Sequence, residues 1–430
     1  GKFQDRSPQV LLLDSLFEDV DAVFADLEND GDLDLVVASG GNEYWGEHEA
    51  LVQRAYINDG KGNFTVDKSL FKGAFMTASC VLPADFNGDG LVDFFFGGRA
   101  VPWNYGKTPT SYLFENKGNG QFENVTVQVA DGLENVGLVK NGTWADMDED
   151  GDPDLVLAME WGPVEFFLND GGRLKKQPLN EMKGWWDFVL PYDFDQDGDM
   201  DLLAGNLGDN SKLRPTPEEP VRLYVNDFDD NDQIEQILTY YLDGKEVPFA
   251  NYKELTKQLV SLKKKYLYSR DFAKASMSEL FGEEKLASAK VLEANTFQSM
   301  YFENTGDLQF KAHPLPDVLQ FSTLNAAGLY DFNGDGKQEV LLGGNFYENN
   351  IELGRYDANY GNVLAIGANG DFQLDPVGSL RIKGQVRRIR PITIDGKFCF
   401  ILARNDGPVL VILPRPSGKK LLSENSAKKN

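Results

Sequence analysis

Residues 85–98 read Asp85-Phe86-Asn87-Gly88-Asp89-Gly90-Leu91-Val92-Asp93-Phe94-Phe95-Phe96-Gly97-Gly98. A nine-residue acidic segment is followed directly by an apolar segment with the composition of a buried β-strand. Side-chain oxygens stand at positions 1, 3, 5 and 9 of the acidic segment, and glycine stands at position 6. Oxygen ligands around a sharp turn suit a hard cation such as calcium, and glycine removes the steric cost of that turn. The stretch therefore predicts a calcium-binding loop between two strands.

The same pattern occurs five times, at residues 26–34, 85–93, 146–154, 193–201 and 331–339. Five copies in the same strand context indicate both calcium binding and a repeated structural unit. Magnesium is disfavoured, because the loops offer more oxygens than a small octahedral ion accepts. The predicted side-chain ligands are Asp26, Glu28, Asp30, Asp34, Asp85, Asn87, Asp89, Asp93, Asp146, Asp148, Asp150, Asp154, Asp193, Asp195, Asp197, Asp201, Asp331, Asn333, Asp335 and Glu339.

A sixth acidic segment, at residues 227–235, differs from the other five. It has no glycine at position 6, and it falls where the repeat predicts a hairpin. The sequence leaves calcium binding at this segment undecided.

Each acidic segment lies between two predicted strands, and a hairpin follows, marked by pairs such as Asn58-Asp59-Gly60. Such pairs provide the positive φ angles of tight hairpins. Each unit therefore reads as four antiparallel strands, and radial repetition of such units gives a β-propeller.

The spacing of the acidic segments predicts an all-β fold, a single β-propeller domain over residues 1–430 with seven blades. The interval between the fourth and fifth segments is long enough for two blades and an insertion, and the last unit, from Gly384, has lost its acidic segment. We expect the start of the chain, Gly1-Lys2-Phe3, and the strand at residues 409–413 to form parts of one blade and to close the ring.

Residues 250–293 interrupt the repeat and predict a helical insertion. Helix-forming residues with apolar spacing cover residues 254–266 and 276–292. The insertion is expected to pack on one side of the barrel. Alternatively it is a partner-docking element with Lys263, Lys264 and Lys265 as its basic patch.

The composition excludes several classes of partner. Asp and Glu number 68 against 42 Lys and Arg, giving a net charge of -26, which argues against nucleic-acid binding. Bound calcium would neutralise much of this charge.

No run approaches 18 apolar residues, so no transmembrane segment is expected. The first residues carry no signal-peptide pattern, and a mature or trimmed chain would look the same.

A candidate ligand face follows from the topology. In a propeller blade the acidic loops and hairpins share one face. The loops between the second and third strands, and the segments that connect successive blades, then lie on the opposite face. The loops are rich in aromatic residues with polar neighbours, and the segment before the fourth acidic loop adds Trp185 and Trp186. Such residues suit sugar rings or peptide side chains, although packing at the barrel mouth explains them equally well. The candidate ligand-face residues are Tyr44, Trp45, Arg99, Trp103, Tyr105, Trp161, Trp185, Trp186, Arg214, Tyr347 and Arg355.

The repeated unit resembles the FG-GAP/VCBS repeat, which forms the calcium-binding blades of integrin α-subunit propellers. Residues 34–41 and 93–98 match its strand-and-glycine portion as well as its loop. Residues 205–208, 217–224 and 403–408 resemble a bacterial VCBS/FG-GAP group whose members can carry an ASPIC/UnbV-type module. The resemblance implies a secreted or surface-anchored propeller, or one that belongs to a larger outer-membrane assembly.

The sequence favours a non-catalytic, calcium-stabilised extracellular module that binds a glycan or a protein at the cell surface, as in adhesion. No nucleophile motif accompanies the two histidines, His48 and His313. Calcium held by four side chains also leaves little room for substrate, which favours a structural role for the ion.

Two alternatives stay open. The first is a glycan-active enzyme such as a polysaccharide lyase, with Tyr105, Tyr356 or His48 as the base and Arg99 or Arg355 as the charge neutraliser. The second is a structural subunit of an outer-membrane complex, in contact with its partners through the helical insertion.

Overall fold

A computed structural model of the chain describes residues 8–367, 370–374 and 381–414. Strands account for 42% and helices for 11% of the described residues. The described residues form seven antiparallel sheets, five of them four-stranded. This confirms the predicted all-β class built from propeller-type sheets, and the number of sheets equals the predicted number of blades.

The chain divides into two compact units. The first consists of Gly1–Trp185 and Leu213–Thr296, and the second of Trp186–Lys212 and Phe297–Asn430.

The first unit holds sheets 1, 2, 3 and 5. Sheet 1 consists of β1 (Asp19–Ala25), β2 (Asp34–Ser39), β3 (Arg54–Asn58) and β4 (Phe64–Asp67). Sheet 2 consists of β5 (Thr77–Ala84), β6 (Asp93–Ala100), β7 (Tyr112–Asn116) and β8 (Phe122–Asn124). Sheet 3 consists of β9 (Leu138–Ala145), β10 (Asp154–Gly162), β11 (Glu165–Asn169), β12 (Leu174–Pro178) and the short β13 (Gly184–Trp185). Sheet 5 consists of β16 (Val221–Asn226), β17 (Glu235–Leu242), β18 (Lys245–Pro248) and β19 (Lys290–Ala294).

The second unit holds sheets 4, 6 and 7. Sheet 4 consists of β14 (Phe188–Tyr192), β15 (Asp201–Gly205), β20 (Met300–Asn304) and β21 (Phe310–Pro314). Sheet 6 consists of β22 (Leu324–Tyr330), β23 (Glu339–Gly344), β24 (Asn362–Ile366) and β25 (Phe372–Leu374). Sheet 7 consists of β26 (Gln385–Ile394), β27 (Lys397–Asn405) and β28 (Leu410–Ile412).

The helices are short. They are α1 (Gln9–Leu13), α2 (Thr126–Val129), α3 (Tyr252–Gln258), α4 (Val260–Lys265), α5 (Ser269–Phe272), α6 (Met277–Phe281) and α7 (Glu283–Ser288). The helices α3 to α7 lie within the predicted insertion. The second predicted helix ends early, because residues from Lys290 onward form β19 and pair with β16.

Strand β6 shows how neighbouring sheets of the first unit pack together. Its side chains alternate between two faces, and both faces are buried. Phe95 packs with Leu155 and Leu157 of sheet 3, whereas Phe94 and Phe96 pack with apolar residues of sheet 1. The continuous apolar run in the sequence is therefore explained by burial on both sides.

The insertion is longer in the chain than the sequence predicts. All of sheet 5 and helices α3 to α7 lie between β15 and β20, which are neighbouring strands of sheet 4. The helices share an apolar cluster with sheet 5 that includes Phe228, Ile237, Leu262 and Phe272. Helical content at residues 250–293 is thus as predicted, but it belongs to a larger inserted segment.

The predicted ring closure lies partly outside the described residues, since Gly1-Lys2-Phe3 is not among them. At the other end of the chain, β28 pairs with β27 of its own sheet. The closure and the single-domain organisation remain predictions.

Candidate metal centres and ligand face

The acidic loops fold through hydrogen bonds within their own nine residues. In loop 85–93, the Asp85 carboxylate accepts hydrogen bonds from the backbone N–H groups of Asp89 (3.0 Å) and Gly90 (2.8 Å). Asp89 in turn accepts one from Leu91 N–H (2.9 Å). Short acidic side chains commonly fold a turn in this way. Gly90 has φ 86°, a conformation that favours glycine.

The carboxylate at position 9 is the first residue of the second strand and is almost fully buried in every loop. Its exposure is 1% at Asp34, 1% at Asp93, 0% at Asp154 and 0% at Asp201. In each loop it accepts a hydrogen bond from the backbone N–H of position 2, for example Met147 to Asp154 at 2.8 Å. The position-9 acid thus joins the start of the loop to the first residue of the strand that follows it.

Burial raises the pKa of the position-9 acids Asp93, Asp154, Asp201 and Glu339, since a charged group loses solvation when it leaves water. The pKa is raised to about 7 at Asp93 and Glu339, and to about 6 at Asp154 and Asp201. Carboxylates of the same loop add to the increase, while backbone hydrogen bonds oppose it. A bound cation would relieve this concentration of negative charge.

In four loops, the oxygens of three acids lie within 4.8 Å of one another. The groups are Asp146, Asp148 and Asp154; Asp193, Asp195 and Asp197; Asp227, Asp229 and Glu235; and Asp331, Asp335 and Glu339. These groups could hold a metal ion. In the first group Asp146 Oδ1 is buried and has no hydrogen-bond partner, which fits an oxygen that would ligate a cation.

Loops 26–34 and 85–93 form no such group among the described residues. They keep the same backbone turns, with Gly31 N–H donating to Asp26 at 2.9 Å and Gly90 N–H donating to Asp85 at 2.8 Å. The predicted ligands of these two loops are therefore placed in the same kind of loop, with a more open arrangement of oxygens.

Loop 227–235 connects β16 and β17, which are consecutive antiparallel strands and the two central strands of sheet 5. Each of the other five loops instead joins an edge strand of its sheet to the neighbouring strand. The loop therefore joins an adjacent antiparallel pair, as the sequence predicts for a hairpin. Phe228 N–H donates to Glu235 at 2.8 Å, and Asp232 adopts φ 65° where the other loops have glycine. Asp229 Oδ1 is buried without a hydrogen-bond partner. A protein cation also lies nearby, because Lys285 Nζ donates to the backbone oxygen of Asp227 at 2.7 Å.

A repeated asparagine at the end of the third strand supports the loops, and sequence reasoning assigned it only to hairpin turns. The backbone N–H of Asn116 donates to Asp93 at 2.7 Å, and that of Asn169 donates to Asp154 at 2.8 Å. The Asn116 side chain donates to the carbonyl oxygen of Leu27 in the loop of the preceding sheet, at 3.1 Å. The sequence signal that could have identified this asparagine is its constant position directly before each hairpin turn.

On the predicted ligand face of the first unit, two tryptophans from different loops meet. The rings of Trp45 and Trp103 pack edge to face with centroids 5.8 Å apart, and the residues are 68% and 65% exposed. The backbone N–H of Trp103 donates to the side chain of Asn42 at 2.9 Å, which joins the two loops. Tyr44 stacks on His48 in the same region, with centroids 3.9 Å apart.

A cavity of about 350 Å³ is lined by residues that neighbour the two tryptophans in the chain. Gly46 and Glu47, which follow Trp45, line one side, and Val101 and Pro102, which precede Trp103, line another. Cavities of this size with apolar walls and a few polar groups are common ligand sites.

Four other predicted residues of the first unit form an internal network. Arg99 pairs with Glu160 at 2.6 Å, Tyr105 donates a hydrogen bond to Glu160, and Trp161 Nε1 donates to Tyr105 at 2.8 Å. Trp185 packs against Trp161 with centroids 5.0 Å apart. Burial raises the pKa of Tyr105 well above its ordinary value, so this phenol keeps its proton at neutral pH and is a poor general base.

The remaining predicted ligand-face residues have different surroundings. Trp186 is 0% exposed and packs against Phe302, so its assignment to the ligand face is wrong. In the same unit, the Arg355 guanidinium lies 3.5 Å from the centre of the Tyr347 ring. Arg214, in the first unit, is exposed.

Six sheets with an acidic loop between their first two strands define a repeat protein whose loops could hold metal ions. The sequence matches the FG-GAP-like repeat family over residues 26–96 and 146–204. These two regions of the chain are therefore FG-GAP-like repeats, as the sequence predicts.

The chain is also similar to solved structures of low sequence identity. One is a lectin of Agrocybe aegerita described as recognising non-reducing terminal N-acetylglucosamine, with 14% identity, a TM-score of 0.45, and coverage of 93% of this chain and 81% of the lectin. Another is the V. cholerae biofilm matrix protein Bap1, with 11% identity, a TM-score of 0.29, and coverage of 92% and 88%. At these TM-scores neither structure bears on function. No curated protein matches the sequence.

Among the described residues, no helix is both long enough and apolar enough to cross a bilayer.

Proposed function

We propose that this protein is a non-catalytic, extracellular binding module whose sheets are stabilised by calcium and whose exposed tryptophan pair binds a glycan. The observation that carries the binding role is the pair Trp45 and Trp103, whose neighbours in the chain line the 350 Å³ cavity. Two large apolar rings that stay exposed on neighbouring loops are unfavourable in water unless a ligand covers them.

The chemistry of the pair suits a sugar. Indole rings stack on the apolar C–H faces of a pyranose, while polar groups of the cavity can bind hydroxyl groups. Glu47, Thr77 and Thr110 offer such groups in the cavity wall. A protein ligand that buries the same two rings is the other outcome that the experiment must distinguish.

Calcium is the cation that the loops fit best. Each loop offers several carboxylate oxygens and no nitrogen or sulfur ligand, which is the donor set of a hard cation. The ligand positions Asp146, Asp148 and Asp154 supply three such oxygens around one point. Calcium would cancel their mutual repulsion and join the start of the loop to the buried strand that follows.

An extracellular location is part of this proposal. Calcium sites of extracellular modules bind with dissociation constants of about 10⁻⁴ to 10⁻³ M, so sites of this kind fill only where calcium is abundant. Calcium at about ten times the dissociation constant would stabilise the native state by about 1.4 kcal/mol per site, so several sites together would add several kcal/mol.

A glycan array in the presence of calcium tests the binding role, with wild-type protein and Trp103→Ala side by side. The proposal expects binding to a defined glycan class that Trp103→Ala abolishes while the melting temperature stays unchanged. Binding that survives in both Trp45→Ala and Trp103→Ala would exclude the tryptophan pair. Capture of a protein, with no glycan binding, would move the assignment to a protein ligand.

Calcium is tested separately by metal analysis and by thermal melting with and without excess EGTA. The proposal expects bound calcium after dialysis against calcium buffer and a lower melting temperature after chelation. Unchanged melting curves would contradict the stabilising role, whatever the glycan array shows.

A further inference from the structure

The helical insertion carries a positive surface on a strongly negative protein. Residues 252–274 contain seven Lys or Arg and only two Asp or Glu, whereas the whole chain has a net charge of -26. Lys253, Lys257, Lys263 and Lys264 are all exposed. None of these four lysines forms an ion pair with another described residue. Their charges are therefore available to a partner.

Exposed apolar side chains lie among these charges. Leu267 is 79% exposed, Tyr268 is 61% exposed and Val260 is 55% exposed. All three lie in residues 260–268, together with Lys263 and Lys264. The surface formed by Val260, Lys263, Lys264, Leu267 and Tyr268 is called the basic apolar surface below.

This surface is held outward by a packed core, so its exposure is not a result of loose helices. Leu259, Leu262 and Phe272 are buried in the cluster that joins the helices to sheet 5. The Tyr252 hydroxyl donates to the carbonyl oxygen of Tyr266 at 2.6 Å, directly before Leu267. A capping box between Asn251 and Glu254 fixes the start of α3.

The other charges around the surface do not cancel it. Lys245 donates to the carbonyl oxygen of Lys274 at 2.9 Å and adds positive charge. The Glu279 carboxylate accepts hydrogen bonds from Ser276 in the cap of α6. Asp271 pairs with Arg270 at 3.5 Å, and both are exposed.

We infer that the basic apolar surface docks this protein on an anionic lipid bilayer. Lysines next to exposed apolar side chains are the composition of peripheral membrane-binding surfaces, where the apolar groups enter the interface and the cations meet lipid phosphates. A soluble acidic polymer would match the lysines but would leave Leu267 and Tyr268 in water. The negative charge of the remaining molecule would turn this surface toward the bilayer.

The test is flotation of the full chain with vesicles of phosphatidylcholine, alone or mixed with phosphatidylglycerol, at one fixed calcium concentration. We expect binding only to the mixed vesicles, with Lys263→Glu/Lys264→Glu lowering the affinity by about tenfold or more. The matched control, Lys61→Glu/Lys175→Glu, changes two exposed lysines of sheets 1 and 3 and the same net charge. It should bind like wild type.

The apolar part is tested by Leu267→Ser against Val127→Ser, which alters a valine that is 64% exposed on α2. Weaker flotation of Leu267→Ser alone supports insertion into the bilayer. Three results would overturn the inference. The first is flotation with vesicles of pure phosphatidylcholine, and the second is an equal loss of vesicle affinity in the two lysine double variants. The third is unchanged vesicle binding by Leu267→Ser together with binding of the protein to soluble polyglutamate as tightly as to the mixed vesicles. Because every variant changes exposed residues, circular dichroism is expected to show a native fold in each.

Discussion

The side-chain amide of Asn169 donates a hydrogen bond of 2.7 Å to the carbonyl oxygen of Phe86, which lies in the acidic loop of the preceding sheet. The same side chain donates to the carbonyl oxygen of Pro153 in its own loop at 3.0 Å. One buried asparagine thus connects the acidic loops of sheets 2 and 3. Asn116 makes the corresponding connection between sheets 1 and 2, so the acidic loops and the stacking of these sheets are physically coupled.

Asn169→Ala should lower the free energy of unfolding by about 1–3 kcal/mol, because two buried carbonyl oxygens lose their donor. The measurement is urea unfolding with calcium present. Asn58→Ala is the matched control, since the Asn58 side chain donates only to Leu33 of its own sheet, at an exposed position. Equal losses in the two variants would show that the bond to Phe86 adds nothing.

Asp150→Asn and Asp154→Asn should separate metal binding from folding. Asp150 is exposed and accepts one hydrogen bond, from Asp152 N–H at 2.9 Å, which an asparagine oxygen can still accept. Asp154 accepts backbone hydrogen bonds on both oxygens, and an asparagine amide nitrogen cannot accept the second. Both variants replace a carboxylate ligand with a neutral amide oxygen, so both should bind calcium at this loop more weakly.

In excess EGTA only Asp154→Asn should be less stable than wild type, by about 1–3 kcal/mol. Calcium titration calorimetry and thermal melting in EGTA measure the two effects. A lower melting temperature of Asp150→Asn in EGTA would mean that this exposed acid also stabilises the ion-free fold.

Trp186→Ala should lower stability, whereas Trp103→Ala should remove ligand binding and leave stability almost unchanged. Trp186 is fully buried, so its removal leaves a cavity and should lower the free energy of unfolding by about 3–5 kcal/mol. Trp103 is 65% exposed, so its removal should change stability by no more than about 0.5 kcal/mol while it removes ligand binding. Thermal melting and the glycan array measure the two properties on the same samples.

The Glu160 network should give stability a specific dependence on pH. Burial by itself raises the pKa of Glu160, but the charges of Arg99 and Lys140 and two hydrogen bonds outweigh it and lower the pKa to about 2. Because the pKa of Glu160 is lower in the folded protein than its ordinary value of 4.5, the ionised side chain stabilises the folded state at pH values above about 4.5. This contribution is lost as the pH falls from about 4.5 toward about 2.

Glu160→Gln should therefore be less stable than wild type at pH 7, by about 3 kcal/mol, since it removes the carboxylate that pairs with Arg99. The difference should shrink below about pH 4.5, where the unfolded wild-type protein begins to take up the proton. Urea unfolding of both proteins between neutral and acidic pH measures it. A difference that stays constant down to the acid limit would contradict the assigned pKa.

Much of this fold is readable from local sequence. The acidic loops form through contacts of four or five residues, such as Gly151 N–H to Asp146 at 3.0 Å, and a nine-residue motif contains everything that such contacts need. Loop 227–235 shows the limit of pattern matching. It reaches the same geometry without glycine, because aspartate tolerates the positive φ of position 6 and the strands on either side impose it.

The ligand face was less predictable. Trp185 and Trp186 are adjacent in the sequence, yet the first is partly exposed beside Trp161 and the second is fully buried against Phe302. Which aromatic ring remains exposed depends on the strands that pass over it, and these come from distant parts of the chain. The network around Glu160 depends in the same way on residues about 60 positions apart.

The sequence by itself determined the repeat, the acidic loops, the all-β class and the presence of helices near residues 250–293, because each rests on interactions between near neighbours in the chain. Only the tertiary structure decided that the segment forming sheet 5 is inserted in the chain between two strands that pair with each other in sheet 4. It also decided that Asn169 joins two loops, and that Trp45 and Trp103 meet at the surface. Those outcomes depend on contacts between segments far apart in the chain, and no local pattern specifies which segments will pair.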